Sequence, residues 1–129
     1  MQSTLISCFM ISVAVLSLVS GCGRSDLPPL GTVSGKVTLD GEPLSGVIIN
    51  FKPEEGRAAT ATTDAQGNYT LTYTYRVAGT KTGPSTVMFE WPLGEPGRAI
   101  PTKYTGLNSE LKVDVGDGDN ELNFPLTSR

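Results

Sequence analysis

The chain is 129 residues long, 38% hydrophobic and 18% charged, with 15 glycines, 9 prolines, two cysteines and no histidine. That length accommodates one ordinary domain, and the missing imidazole excludes every mechanism that needs a histidine base, acid or metal ligand. A net charge of −3 argues against a phosphate-binding surface for nucleic acid.

From Met1 to Gly23 there is no charged side chain, and Leu5–Val19 is a mostly apolar run broken by Ser7, Ser12 and Ser17. A bilayer-spanning helix needs roughly 20 apolar residues. This shorter, diluted run reads as the apolar region of an export signal, with an uncleaved membrane helix as the alternative. The following Leu18-Val19-Ser20-Gly21-Cys22 resembles the bacterial lipoprotein signal, in which an aliphatic residue and two small residues precede a cysteine. The resemblance implies cleavage between Gly21 and Cys22 and a diacylglyceryl thioether on Cys22. The departure from that pattern is at the start, where only the α-amino group supplies positive charge. The organisation expected is a signal over residues 1–21, a lipidated cysteine and short tether over 22–31, and a domain over 32–127. Pro28-Pro29 stiffens the tether. Cys8 leaves with the signal and Cys22 is blocked, so the exported domain holds no disulfide.

The rest of the chain is patterned for short strands. Val33, Gly35, Val37 and Leu39 alternate with Ser34, Lys36 and Thr38, the period of a half-buried strand. Asp40-Gly41 is a turn dipeptide suited to positive φ. Val47, Ile49 and Phe51 form the next inward set, and Pro53 stops it. Ala58–Thr63 is a threonine-rich strand, and Asp64-Ala65-Gln66-Gly67 is a turn in which the aspartate bonds its own downstream backbone. Tyr69, Leu71, Tyr73 and Tyr75 alternate with threonines. Val77–Pro84 has the composition of a loop. Thr86–Trp91 is a strand with Val87, Phe89 and Trp91 in phase, and Leu93–Arg98 is a second loop. Ile100–Tyr104 is followed by a break at Thr105-Gly106. Leu111, Val113 and Val115 alternate, the Gly116–Asn120 stretch turns, and Leu122, Phe124 and Leu126 close the pattern. No window carries a convincing helical period. Seven or so strands at this spacing predict an all-β, antiparallel Greek-key sandwich of seven strands behind the signal segment.

Three pieces then line up: Val33–Val47 with Ile49 and Phe51; Thr63-Asp-Ala-Gln-Gly-Asn-Tyr69-Thr-Leu71; and Ile100–Tyr104 with Leu111–Val115, Asn120 and Phe124–Leu126. Together they resemble the carboxypeptidase-regulatory-like, or transthyretin-like (prealbumin), β-sandwich, especially its small lipoprotein versions in planctomycete bacteria. The resemblance covers about Gly31 to Thr127. The enzymatic branch of that fold, the hydroxyisourate hydrolases, uses histidines, an arginine and a C-terminal Tyr-Arg-Gly-Ser. This chain has no histidine and ends Leu126-Thr127-Ser128-Arg129, so the resemblance implies the non-catalytic branch.

Other chemistry is thinly represented. Cysteine nucleophilic catalysis has no free thiol once Cys22 is acylated. Glu54 and Glu55 are adjacent and face opposite ways on an extended segment. Asp114, Asp117 and Asp119 cluster at a turn without the spacing of a 12-residue calcium loop. Neither metal nor cofactor is expected. Among the aromatics, Phe89, Trp91 and Tyr73 fall in phase with core aliphatics. Trp91, beside Pro92 at a strand end, and Tyr75, near a loop, are the candidates for ligand contact, and together they would make a sugar-stacking platform. A lysine–asparagine cross-link would need Lys36 and Asn123 buried together, and both are out of phase with the core. The expectation is a non-enzymatic protein held to the membrane through Cys22, at the outer-membrane or periplasmic face. Its role is structural or in recognising another envelope protein. A carbohydrate-binding module acting on an envelope glycan and an accessory domain for a partner enzyme are the alternatives.

Overall fold

The computed structural model describes residues 27–95 and 97–129. The expected cleavage site at Gly21 and Cys22 and the expected acylation of Cys22 lie outside them. Twelve short strands run through the described residues: β1 (Leu30–Leu39), β2 (Glu42–Pro43), β3 (Ile48–Pro53), β4 (Ala59–Thr62), β5 (Asn68–Thr70), β6 (Thr72–Thr74), β7 (Val77–Ala78), β8 (Thr80–Lys81), β9 (Gly83–Glu90), β10 (Lys112–Val115), β11 (Gly118–Glu121) and β12 (Phe124–Leu126), with one 3-10 turn at Thr102–Tyr104. They form two sheets packed face to face, the all-β sandwich that the alternation predicts. Among the described residues no helix is long and apolar enough to cross a membrane.

The first sheet is built on β1. Along one edge it pairs antiparallel with β8, β5 and β2 in succession, and along the other it pairs parallel with β11 and then β12. The sheet is therefore mixed where a wholly antiparallel one is expected. The reason is topological: the chain leaves β10 in the second sheet, turns at Gly116-Asp117, and comes alongside β1 running the same way. The second sheet has the order β10-β9-β3-β4-β6-β7, with every pair antiparallel.

Several expected strands are subdivided. The Tyr69–Tyr75 run breaks at buried Leu71, so that β5 lies in the first sheet and β6 in the second. Leu71 N–H donates to Val33 O at 2.9 Å, and Leu71 O accepts Gly79 N–H at 2.9 Å, stitching both sheets at this corner. The stretch expected as a loop, Val77–Pro84, holds β7, β8 and the start of β9. β1 begins at Leu30 rather than Val33, because Leu30 and Gly31 pair with Lys81 and Thr80. The Gly116–Asn120 turn is shorter than expected. Asn120 closes it by accepting Gly116 N–H (3.0 Å) and donating to Gly116 O (2.9 Å) and Thr32 O (3.0 Å).

The inward residues are those that the alternation selects: Val33, Val37 and Leu39 from one sheet, and Ile49, Phe51, Val87 and Phe89 from the other. Phe124 joins them. Its ring meets Phe51 at 6.0 Å and Phe89 at 5.8 Å, both edge-on, and lies tilted against Tyr69 at 6.2 Å. Such pairs add about 0.5–1.5 kcal/mol each beyond area burial. Tyr69 sits opposite Gly35 in the register. Its hydroxyl reaches past that glycine to donate to Leu122 O at 2.6 Å. A Cβ on Gly35 would stand 1.9 Å from the same carbonyl oxygen.

The Thr63–Tyr69 motif is accounted for atom by atom. The buried Thr63 hydroxyl donates to Leu44 O (2.6 Å) and accepts Val47 N–H (3.0 Å). Asp64 Oδ1 accepts the N–H groups of Gln66 and Asn68, each at 2.9 Å. Gly67 takes φ +83°, and a Cβ there would approach Val37 O to 2.6 Å. Its own carbonyl accepts Val37 N–H at 2.8 Å.

Candidate recognition site at one end of the sandwich

β1 runs from the end where the described chain enters to the opposite end, where three segments meet. The first is the Asp40-Gly41 turn. Both residues have positive φ (55° and 88°), the geometry of a two-residue hairpin whose twist suits the flanking strands. The second is the segment after β9. The Trp91 indole N–H donates to Arg98 O at 2.8 Å, and Gly97 lies so close to the ring that a Cβ would stand 2.4 Å from it. Arg98 then reaches across to the first sheet. Its Nη1 donates to Leu39 O at 3.2 Å, and its guanidinium pairs with Asp40 at 3.6 Å and Glu42 at 3.7 Å. These pairs are half-exposed or more, so their worth lies in geometry rather than in stability.

The C-terminal tail completes the arrangement. Ser128 N–H donates to Asp40 Oδ1 at 2.9 Å, and Thr127 N–H donates to the Tyr104 hydroxyl at 3.2 Å. The Ser128 backbone bond, with a smaller contribution from the Arg98 charge, holds the Asp40 carboxyl below its ordinary range. Leu44, Ser45, Gly46, Trp91, Gly97 and Arg98 line a cleft of about 360 Å³ at this end. Leu93 is fully exposed beside it, on a turn closed by the Glu95 N–H bond to Pro92 O at 3.0 Å. The arrangement offers a partly exposed cation, two carboxylates and one apolar tip on braced loops.

Trp91 is half-buried, with its ring packed on the core and on Gly97. Tyr75 is 81% exposed, at the β6–β7 turn, with the Arg76 guanidinium 5.1 Å from its ring centroid. The structure does not bring the two together. In the antiparallel register Trp91 follows Glu90, which aligns with Ile48 and Thr62, whereas Tyr75 lies beyond the Thr60–Thr72 pair at the opposite strand ends. Six residues of strand separate the two rows, about 20 Å along the strands. Phe89 and Tyr104 are buried, and Tyr73 is half-buried beneath Arg57 at 5.8 Å.

A second concavity, of about 610 Å³, crosses the outer face of the first sheet among Lys36, Asn68, Glu121 and Asn123. Here the Lys36 N–H donates to Asn123 Oδ1 at 2.9 Å, but both side chains are exposed rather than enclosed. Among the described residues no three acidic or thiol side chains converge to hold a metal ion, and Asp119 accepts a hydrogen bond from Thr32. The Arg98 clamp has no local signature: its acidic partners lie more than fifty residues upstream. Only the lone arginine closing a Gly-Glu-Pro-Gly stretch marks its place in the sequence.

No family model matches the chain, and no curated protein matches it. Among solved structures it is similar to a DUF3823 family protein from Parabacteroides merdae, at 15% identity and a TM-score of 0.45. That match covers 74% of this chain and 45% of the other, so the chain spans under half the length of the protein it resembles.

Proposed function

We propose that this chain is an exported envelope lipoprotein, anchored through acylated Cys22. Its β-sandwich, of the carboxypeptidase-regulatory-like or transthyretin-like type, recognises another envelope protein and catalyses no reaction. The observation that carries the reading is the run Leu18-Val19-Ser20-Gly21-Cys22, followed after a short proline-stiffened tether by β1. β1 spans ten residues, about 33 Å of strand, between the tether side and the loops around Trp91, Leu93 and Arg98. Those loops are held by hydrogen bonds and an ion-paired guanidinium, which lowers the ordering cost of binding a partner. The separation of Trp91 from Tyr75 weighs against a sugar platform built from both.

Two measurements test the reading. Intact mass of the membrane-extracted protein should show a diacylglyceryl group on a chain beginning at Cys22, and Cys22→Ala should accumulate as precursor. Normal processing of that variant would refute the anchor. A photo-crosslinker at position 93 should capture an envelope protein that one at position 36 does not. Equal capture at both positions, or capture of glycan alone, would refute recognition through these loops.

A further inference from the structure

Register alone sets Lys52, Thr86 and Lys112 in one row across β3, β9 and β10, on the outer face of the second sheet. The two lysine backbones stand two strand spacings apart, about 10 Å. Lys52 Nζ donates to Pro53 O (3.1 Å) and Gly56 O (3.0 Å), and Lys112 Nζ donates to Thr86 Oγ1 (3.2 Å) and Ser109 O (3.0 Å). Each ammonium has three donors, so each keeps one to offer. Among the described residues every ion pair belongs to Arg98, and neither lysine has a carboxylate partner.

Between the lysines lies a cleft of about 400 Å³ lined by Pro53, Glu54, Pro84 and Leu107, the last 71% exposed. It adjoins a depression of about 230 Å³ that shares Pro53, Glu54 and Pro84 and reaches Lys81. Glu54 and Glu55 line this extension, and Lys81 Nζ is bound to the backbone oxygen of Glu55 at 2.8 Å. Thr82, also in its lining, donates its N–H to Pro29 O at 3.1 Å. The groove thus opens where the tether joins the domain.

We propose that this groove binds the phosphate headgroup of anionic phospholipids in the membrane that carries the anchor. Lys52, Lys112 and the Thr86 hydroxyl take the phosphate, and the exposed Leu107 and Pro84 face the glycerol and upper acyl region. The proposal rests on the anchor reading for its choice of ligand. Four residues separate Cys22 from Leu27, five steps with a reach of at most about 18 Å, which keeps the groove within headgroup distance. Two like charges in one row, with Glu54 in the cleft lining ion-paired to neither of them, are an arrangement that a bound phosphate stabilises. The chain's net charge of −3 supplies no general attraction to an anionic surface, so binding there requires a local site.

The test uses the lipid-free domain from Leu27 to Arg129, whose buried core lies wholly between Val33 and Leu126. Co-sedimentation is measured with vesicles of phosphatidylcholine alone and with added phosphatidylglycerol. Preference for the anionic vesicles is expected. Lys52→Gln or Lys112→Gln should weaken it about fivefold each, and the pair on the order of twenty-fivefold. Lys36→Gln with Lys103→Gln, the same change of charge elsewhere, should leave it intact. No lipid preference, or equal loss in that control, would overturn the site. Hexyl phosphate binding as tightly as the vesicles would overturn the membrane as its source. Because the domain carries no acyl group, these outcomes are read independently of the Cys22 experiment.

Discussion

The same substitution at two buried threonines should have opposite effects. Thr63 and Thr80 are 4% and 0% exposed, and valine reproduces the shape of threonine without its hydroxyl. At Thr63 the hydroxyl makes two short bonds, to Leu44 O and from Val47 N–H. Thr63→Val leaves a buried donor and a buried acceptor short of partners, at about 1–3 kcal/mol for the orphaned N–H and about 1 for the other bond, roughly 2–4 kcal/mol together. At Thr80 the hydroxyl is buried with no partner among the described residues. Its desolvation is already uncompensated, so Thr80→Val should stabilise by about 1 kcal/mol. For a domain of this size 1 kcal/mol moves the melting temperature by about 4–8 °C. Thermal unfolding of the 27–129 domain, followed by circular dichroism, should therefore show Thr63→Val melting at least about 8 °C below wild type and Thr80→Val some degrees above it. A fall in both variants would refute the reasoning, since Thr80 would then have to be satisfied in the folded protein.

Gly35→Ala should destabilise by about 3 kcal/mol or more, because the new methyl meets Leu122 O and displaces the Tyr69 hydroxyl from its acceptor; denaturant titration measures it. Arg76 holds φ 65°, a conformation costing a non-glycine residue about 1 kcal/mol, so Arg76→Gly should raise stability by about 0.5 kcal/mol after loss of the Tyr75 stack. A drop of that size in equilibrium unfolding would count against the strain. Asp40 is depressed first by the Ser128 N–H and then by Arg98. A depressed carboxylate contributes above its unfolded value near 3.9 and loses that contribution as pH falls through its lower folded value. The Ser128 amide resonance should titrate with a midpoint below 3.9, and Asp40→Asn should abolish that titration.

The alternation in Val33–Leu39 and Val47–Phe51 marked the central strands, because one face of each is solvated and the period of two survives in the residues. The Asp40-Gly41 turn and the Thr63–Tyr69 motif were equally legible, since their backbone geometry demands those side chains. The break at Leu71 was not. An inward leucine at a corner has the same identity as one in mid-strand, and Tyr69, Leu71 and Tyr73 keep one phase while the backbone changes sheets. β7 and β8 are two residues each, too short to show a period. The parallel pairing of β1 with β11 and β12 depends on contacts some ninety residues apart. For the candidate site, the sequence singled out Trp91 as an aromatic at a strand end, but its partners Gly97 and Arg98 emerge only when that loop folds back.

The two ends of the sandwich differ in how their polar groups are satisfied. Around Trp91 the groups pair with one another: Arg98 with Asp40 and Glu42, the indole with a carbonyl, the tail with Asp40 and Tyr104. Such closed networks fix loop geometry and leave little charge to draw a ligand from a distance, which suits a surface read by shape. On the side where β1 begins the lysines rest on neutral oxygens, so each is held in place without a direct ion pair among the described residues. Pairing each of them with a surface carboxylate would add little stability. Ordered, unpaired cations beside an apolar wall instead match a ligand that carries a negative charge and an apolar portion. That contrast, rather than any one contact, supports the proposals of shape recognition at the far end and headgroup binding at the near one.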